Sequence, residues 1–203
     1  MIRSAGLAVL VPLVAGCATG PFTETGTFLP PKHQRALQAA PLCCKSYRDI
    51  RFTALQPNVQ TKHALTPHAP VFEFEGRRSF FAAFELAAPE GQLRVTTKPV
   101  NMLWNLTGHV LVPKVDFLNR DHEVIATVQP SYERKLEFRR GAWAEAHIAV
   151  PEAARYAVVR ANWRADGLEW RDPEQPAGFF FVRSGPTGEV GVTPLPRRPT
   201  NPP

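Results

Sequence analysis

An antiparallel β-sandwich with jelly-roll-like connections, carried behind a flexible N-terminal tether, is the fold the sequence predicts. Three observations point to it. From residue 71 onward, short runs alternate apolar with polar residues, the period of half-buried strands. Turn residues separate these runs roughly every ten positions. No apolar stripe of helical period persists beyond about ten residues. The 203 residues, 44% of them hydrophobic, suffice for one core, and 21 prolines with 13 glycines favour many short elements over a few long helices.

The N-terminus comes first. Arg3 precedes an apolar run from Ala5 to Val14 (AGLAVLVPLV), about ten residues where a membrane-spanning helix needs about twenty. Pro12 interrupts it. The run ends in Leu13-Val14-Ala15-Gly16-Cys17, which resembles the bacterial lipobox, where a signal peptidase cuts before the cysteine and the thiol receives diacylglycerol. Residues 1–16 therefore read as a lipoprotein signal peptide and Cys17 as the lipid attachment residue. Several acyl chains, palmitate among them, anchor stably where a single chain binds only marginally. Ala18, where an aspartate would signal retention, reads as sorting to the outer membrane. The expected location is the periplasm, on that membrane and without spanning it.

Residues 17–39 read as the lipidated cysteine and its tether, since Gly, Pro and Thr dominate and Pro30-Pro31 favours an extended course. His33 to Ala40 would make one or two helical turns, too few to stand alone. The β-sandwich domain is expected over residues 40–184. Its first clear strand starts at Val71, with Val71, Glu73 and Glu75 on one face and Phe72 and Phe74 on the other. Strands follow at Ser79 to Leu86, Gln92 to Thr97, His109 to Val112, Val115 to Leu118 and Glu123 to Gln129. The last are Lys135 to Phe138, Trp143 to Val150, Tyr156 to Trp163 and Phe179 to Val182. Turns fall at Pro89-Glu90-Gly91, Asn119-Arg120-Asp121, Arg140-Gly141 and Asp166-Gly167. Residues 185–203 (GPTGEVGVTPLPRRPTNPP) are Pro-rich and lack aromatics, and they are expected to be disordered.

Charge excludes a nucleic-acid partner. The formal net charge of +6 falls by one when Arg3 leaves with residues 1–16, and the basic pairs Arg77-Arg78, Arg139-Arg140 and Arg197-Arg198 are scattered among acids. Known catalytic patterns are missing: the chain contains no Gly-x-Ser-x-Gly, Walker loop, dinucleotide fingerprint or His-Glu-x-x-His. His63 and His68 (KHALTPH) come nearest to a metal pair, but their separation across Pro67 matches no ligand geometry, so neither metal nor cofactor is expected. Cys43 and Cys44 are adjacent, not Cys-x-x-Cys, and are too few for zinc. In an oxidising space three states stay open for them: a strained vicinal disulfide, an intermolecular bridge, or two buried small apolar side chains. Trp163 and Trp170, flanked by charges in Asn162 to Asp172 (NWRADGLEWRD), form a candidate platform for stacking a sugar, against a favoured alternative in which each packs the sandwich edge. Trp104 and Trp143, in strand-like runs, are expected in the core.

One family resemblance emerges. Pro41-Leu42-Cys43-Cys44-Lys45-Ser46-Tyr47, then Ile50-Arg51-Phe52 and Leu55, lead to Phe72-Glu73-Phe74-Glu75-Gly76-Arg77-Arg78-Ser79-Phe80-Phe81-Ala82-Ala83-Phe84-Glu85-Leu86. With Val112-Pro113-Lys114-Val115-Asp116-Phe117-Leu118-Asn119 and Ala154-Arg155-Tyr156-Ala157-Val158-Val159, this pattern resembles the maltose operon periplasmic protein family over about residues 40 to 182. Asn119 stands where that family tends to have Asp, and the Pro-rich tail replaces a longer segment. The resemblance implies an exported β-rich domain associated with maltodextrin uptake and carries over no catalytic residue. The expectation is a non-enzymatic, lipid-anchored periplasmic protein assisting carbohydrate binding or transport; the alternative is a structural or assembly lipoprotein that binds another envelope protein.

Overall fold

The run Arg77–Glu85 (RRSFFAAFE) is apolar at consecutive positions, as a strand covered on both faces must be. The computed structural model describes residues 31–87, 91–100, 108–137, 141–162, 167–171 and 179–196. In chain order these form α1 (Pro31–Ala39), β1 (Thr53–Ala54), β2 (Thr61–Leu65), β3 (Val71–Phe74), β4 (Arg77–Glu85) and β5 (Gly91–Thr97). Next come β6 (Pro99–Val100), β7 (His109–Val110), β8 (Pro113–Leu118), β9 (Val124–Val128) and β10 (Glu133–Glu137). The last are β11 (Gly141–Ala149), β12 (Tyr156–Ala161), β13 (Gly167–Arg171), β14 (Phe179–Ser184) and β15 (Gly188–Pro196). A 3-10 turn, Tyr47–Asp49, lies between α1 and β1. The protein is an all-β sandwich, and no helix among the described residues is long and apolar enough to cross a membrane.

Three sheets carry the fold. The first runs β1-β4-β12-β8-β9, with β3 also paired to β4; the second is β10-β11-β5-β15-β2; the third is β13-β14-β7-β6. Pairing is antiparallel except for β1 with β4 and β14 with β7. The first two sheets face each other through one core. Phe80, Phe84, Val115, Phe117, Ala157 and Val159 of the first meet Leu93, Val95, Ala144, Ile148, Val190 and Val192 of the second. Burying a side chain such as Phe84 stabilises by about 1.5–3 kcal/mol.

The first sheet has a second apolar face. Phe81, Ala83, Leu118 and Val158 alternate away from the main core and are covered by Ile50, Phe72 and Phe74, with Tyr47 and Cys44 packed alongside. Val71 turns into the main core while Phe72 and Phe74 turn outward, so β3 is buried on both sides and only Glu73 of its four residues is exposed. Two turns have clear local causes. Glu75 and Gly76 join β3 to β4 with positive φ at both positions (51° and 76°), the backbone of a two-residue hairpin. Asn119 closes the β8–β9 turn: its Oδ1 accepts from the N–H groups of Asp121 and Glu123 (2.9 Å each), and its Nδ2 donates to Glu123 Oε2 (3.0 Å). An aspartate could accept those two bonds but could not donate the third.

Two sequence expectations are corrected. The stretch 185–203 is not uniformly disordered, since it contains β15, whose Val190 and Val192 are fully buried. The domain also reaches back into the expected tether. Helix α1 survives at nine residues because it docks: Arg78 donates to the carbonyls of Gln38 and Ala40, and His33 lies buried with its Nδ1 3.1 Å from Thr187 Oγ1.

Candidate functional site

The outer face of the second sheet is polar, and strand parity explains why. On β11, Ala142, Ala144, Ala146 and Ile148 face the core, which turns Trp143, Glu145 and His147 outward. On β5, Leu93 and Val95 face inward while Arg94 and Thr96 face outward. Register then places Glu145 opposite Thr96, His147 opposite Arg94, and Trp143 opposite Lys135 of β10. Trp143 is half-buried on this face, so the expectation that it is a core residue is corrected. The sequence signal was the Ala-x-Ala-x-Ala-x-Ile period itself, which assigns the intervening positions to the opposite face. With Gln60, Arg94, Thr96, Lys98, Lys135 and Glu145, Trp143 lines an open cleft of about 440 Å³.

The polar groups of the cleft are held in place. Glu133 and Glu145 sit directly opposite each other on β10 and β11, a repulsive arrangement unless a cation intervenes. Lys135 does so, its Nζ 2.6 Å from Glu145 Oε1 and 3.7 Å from Glu133 Oε2. The hydrogen bond from Lys135 is the main reason the Glu145 carboxyl stays below the usual glutamate range. Glu145 is thus held ionised, an acceptor and not a proton donor. Gln60 Nε2 donates to Thr96 Oγ1 (3.0 Å), which donates to the Gly191 carbonyl (3.4 Å). Gly191 permits this, because a Cβ there would collide with both side chains. Arg94 donates to Thr193 Oγ1 (3.3 Å).

On the opposite side of the sandwich, Cys43 and Cys44 are joined as a vicinal disulfide, one of the three states the sequence leaves open. Below this segment lies a buried ionic network that sequence reasoning missed. Arg160 Nε donates to Asp116 Oδ2 (2.7 Å), and its Nη2 donates to Glu75 Oε1 (2.9 Å), which also accepts from Lys114 (2.8 Å). Thr127 donates to Asp116 Oδ1 (2.8 Å), and the guanidinium stacks 4.8 Å over the Phe74 ring. Tyr47 lies beside this network; burial first, and the charge of Asp116 second, push its phenol up to about 12. Asp116 inside VDFL and Arg160 inside YAVVRA, each a charge within an apolar run, were the available signal.

The remaining expected residues are dispersed. Cys17, Trp104 and Trp163 lie outside the described residues. Trp170 stands on β13, opposite Phe180 of β14. His63 packs edge-on to Phe84, and burial lowers its pKa; no group of three or more His, Cys, Asp or Glu able to hold a metal occurs among the described residues. No protein-family model, curated protein or solved structure matches this chain.

Proposed function

We propose that this chain is a non-enzymatic lipoprotein of the periplasm, anchored through Cys17 to the outer membrane without spanning it, and that it binds carbohydrate in the Trp143 cleft. The observation that carries the reading is the outward indole of Trp143 set among fixed donors and acceptors. A pyranose offers an apolar CH face to an aromatic ring and hydroxyls to its surroundings; Glu145 accepts from hydroxyls, while Gln60, Arg94 and Lys98 supply amide and cationic groups. Resemblance to the maltose operon periplasmic protein family makes maltodextrin the first ligand to test.

The test is calorimetric titration of the full lipoprotein, in a detergent without a sugar headgroup, with maltohexaose and envelope glycans. Binding is expected, and Trp143→Ala should weaken it about tenfold or more, the equivalent of about 1.4 kcal/mol. Absence of heat from the native protein with every glycan, or an unchanged affinity in the variant, overturns the reading. One observation favours the alternative of an assembly lipoprotein: β9 ends its sheet and exposes Val124 and Ile125, an edge that a partner strand could extend. Crosslinking from β9 in cells to one defined envelope protein would support that reading.

A further inference from the structure

The segment carrying the vicinal disulfide lies across the outer face of the first sheet, on the side of the sandwich away from Trp143. It is pinned on both sides of the bridge. Before it, Leu42 forms a parallel bridge with Val71, and the Cys43 N–H donates to the Val71 carbonyl (2.8 Å). After it, Asp49 Oδ2 accepts from the N–H groups of Lys45 (3.1 Å) and Ser46 (2.9 Å) and from the Ser46 hydroxyl (3.0 Å). Tyr47 then packs against Phe72, ring centroids 5.1 Å apart. The disulfide is therefore presented on a fixed loop.

Its surface chemistry is unusual for an exposed turn. A bridge between neighbours closes an eight-membered ring from two sulfurs, two methylenes, two α-carbons and the peptide C–N between them, and its disulfide part is polarisable and carries no polar hydrogen. Cys43 is exposed, Cys44 is half-buried against the second apolar cluster, and Leu42 beside them is 40% exposed. This floor, with Phe72, opens into a depression of about 850 Å³ whose rim carries Lys45 and Glu73. Asp49, also on the rim, already accepts three bonds from the loop.

We propose that the Cys43–Cys44 plate is a second carbohydrate contact site, taking the CH face of one sugar ring on its sulfurs while the ring hydroxyls meet Lys45 and Glu73. The proposal rests on the carbohydrate-binding reading and extends it to the opposite face of the sandwich. A rim that offers the Lys45 ammonium and the Glu73 carboxylate, with the Asp49 carboxylate engaged by the loop, suits a neutral polyol, which needs donors and acceptors together; an anion would need cations without opposing acids nearby. An apolar, rigid floor of about one ring's width suits the sugar face for the same reason an indole does. Unlike an indole, this plate exists only when oxidised. Dithiothreitol would abolish it by passing two electrons and two protons to the sulfurs, leaving two thiols and the cyclic disulfide of the reagent.

The experiment titrates the full lipoprotein with maltohexaose, in a detergent without a sugar headgroup, for the native protein, Trp143→Ala, Cys43→Ser/Cys44→Ser, and Lys45→Ala/Glu73→Ala, the last of which keeps the disulfide. Urea midpoints identify any variant that fails to fold, and the native protein treated with dithiothreitol supplies the same comparison without mutation. Trp143→Ala should retain weak binding, and reduction should weaken that residual about tenfold; Lys45→Ala/Glu73→Ala in the Trp143→Ala background should do the same. Residual binding indifferent to reduction and to both sets of substitutions overturns the plate and leaves the cleft standing. Binding that falls on reduction but ignores Trp143→Ala overturns the cleft and leaves the plate. No binding by the native protein overturns both.

Discussion

Arg160 is 1% exposed and carries its charge inside the fold, paired with an Asp116 that is equally buried. Such a pair adds little net stability, yet removing one member strands the other without solvent. Arg160→Met should therefore lower the unfolding free energy in urea by about 3–5 kcal/mol, and adding Asp116→Leu should restore much of the loss. Tyr47 gives the same network a pH signature. Its folded pKa of about 12 exceeds the ordinary 10.0, so its contribution is complete below pH 10 and disappears as pH rises towards 12. Tyr47→Phe should flatten the fall in urea midpoint over that window, leaving the part due to Tyr132, whose phenol burial also raises. On the acid side the sign reverses. The Lys114 hydrogen bond chiefly lowers the Glu75 carboxyl, so that contribution is present above the usual glutamate range and is lost as pH falls through the folded value. Residues of this kind were half legible: Asp116 and Arg160 are charges within apolar runs, a signal the sequence reading passed over, and only strand register shows that β8 and β12 bring them together.

The hairpin between β3 and β4 is the element that delivers Glu75 to this network. Gly76 at φ 76° has open space around its Cα, so the cost of adding a Cβ there is conformational alone. Gly76→Ala should cost about 1–2 kcal/mol in thermal or urea unfolding, without a change in the folded-state circular dichroism. Most strands were readable from alternation, and β5 and β11 agree with the sequence to within one or two residues at each end. β15 was missed because proline-rich composition outweighed the Glu-Val-Gly-Val-Thr alternation within it. Its register explains how the prolines are accommodated: β2 pairs only with Gly188 to Val192, so Pro194 and Pro196 fall where β15 has β5 on one side and no β2 on the other. Trp143 was missed by the opposite error, in which the hydrophobicity of one residue was given more weight than the parity of its neighbours.

Across the whole molecule, the two proposed contact regions occupy opposite outer faces of one sandwich, and the anchor proposed at Cys17 would hold both near a membrane surface. Cys17→Ser should leave the product unprocessed and unlabelled by radioactive palmitate, with slower migration in a gel; labelling that persists in the variant would remove the anchor from this account. Fold class was legible at this scale because alternation is a local signal that survives without knowledge of partners. The pairing of the sheets was not, since it depends on which distant strands meet. The placement of β15 shows how far that matters. Every other strand among the described residues precedes it in the chain, yet it lies between β5 and β2 at the interior of the second sheet and supplies Val190 and Val192 to the core. Until residues 188–196 arrive, that sheet has a gap and the edges of β5 and β2 are unpaired. A chain delivered N-terminus first through a narrow channel cannot close this core in instalments. If the chain crosses a membrane N-terminus first, as the proposed location implies, β15 is the latch of this core, and the second sheet stays open until it emerges.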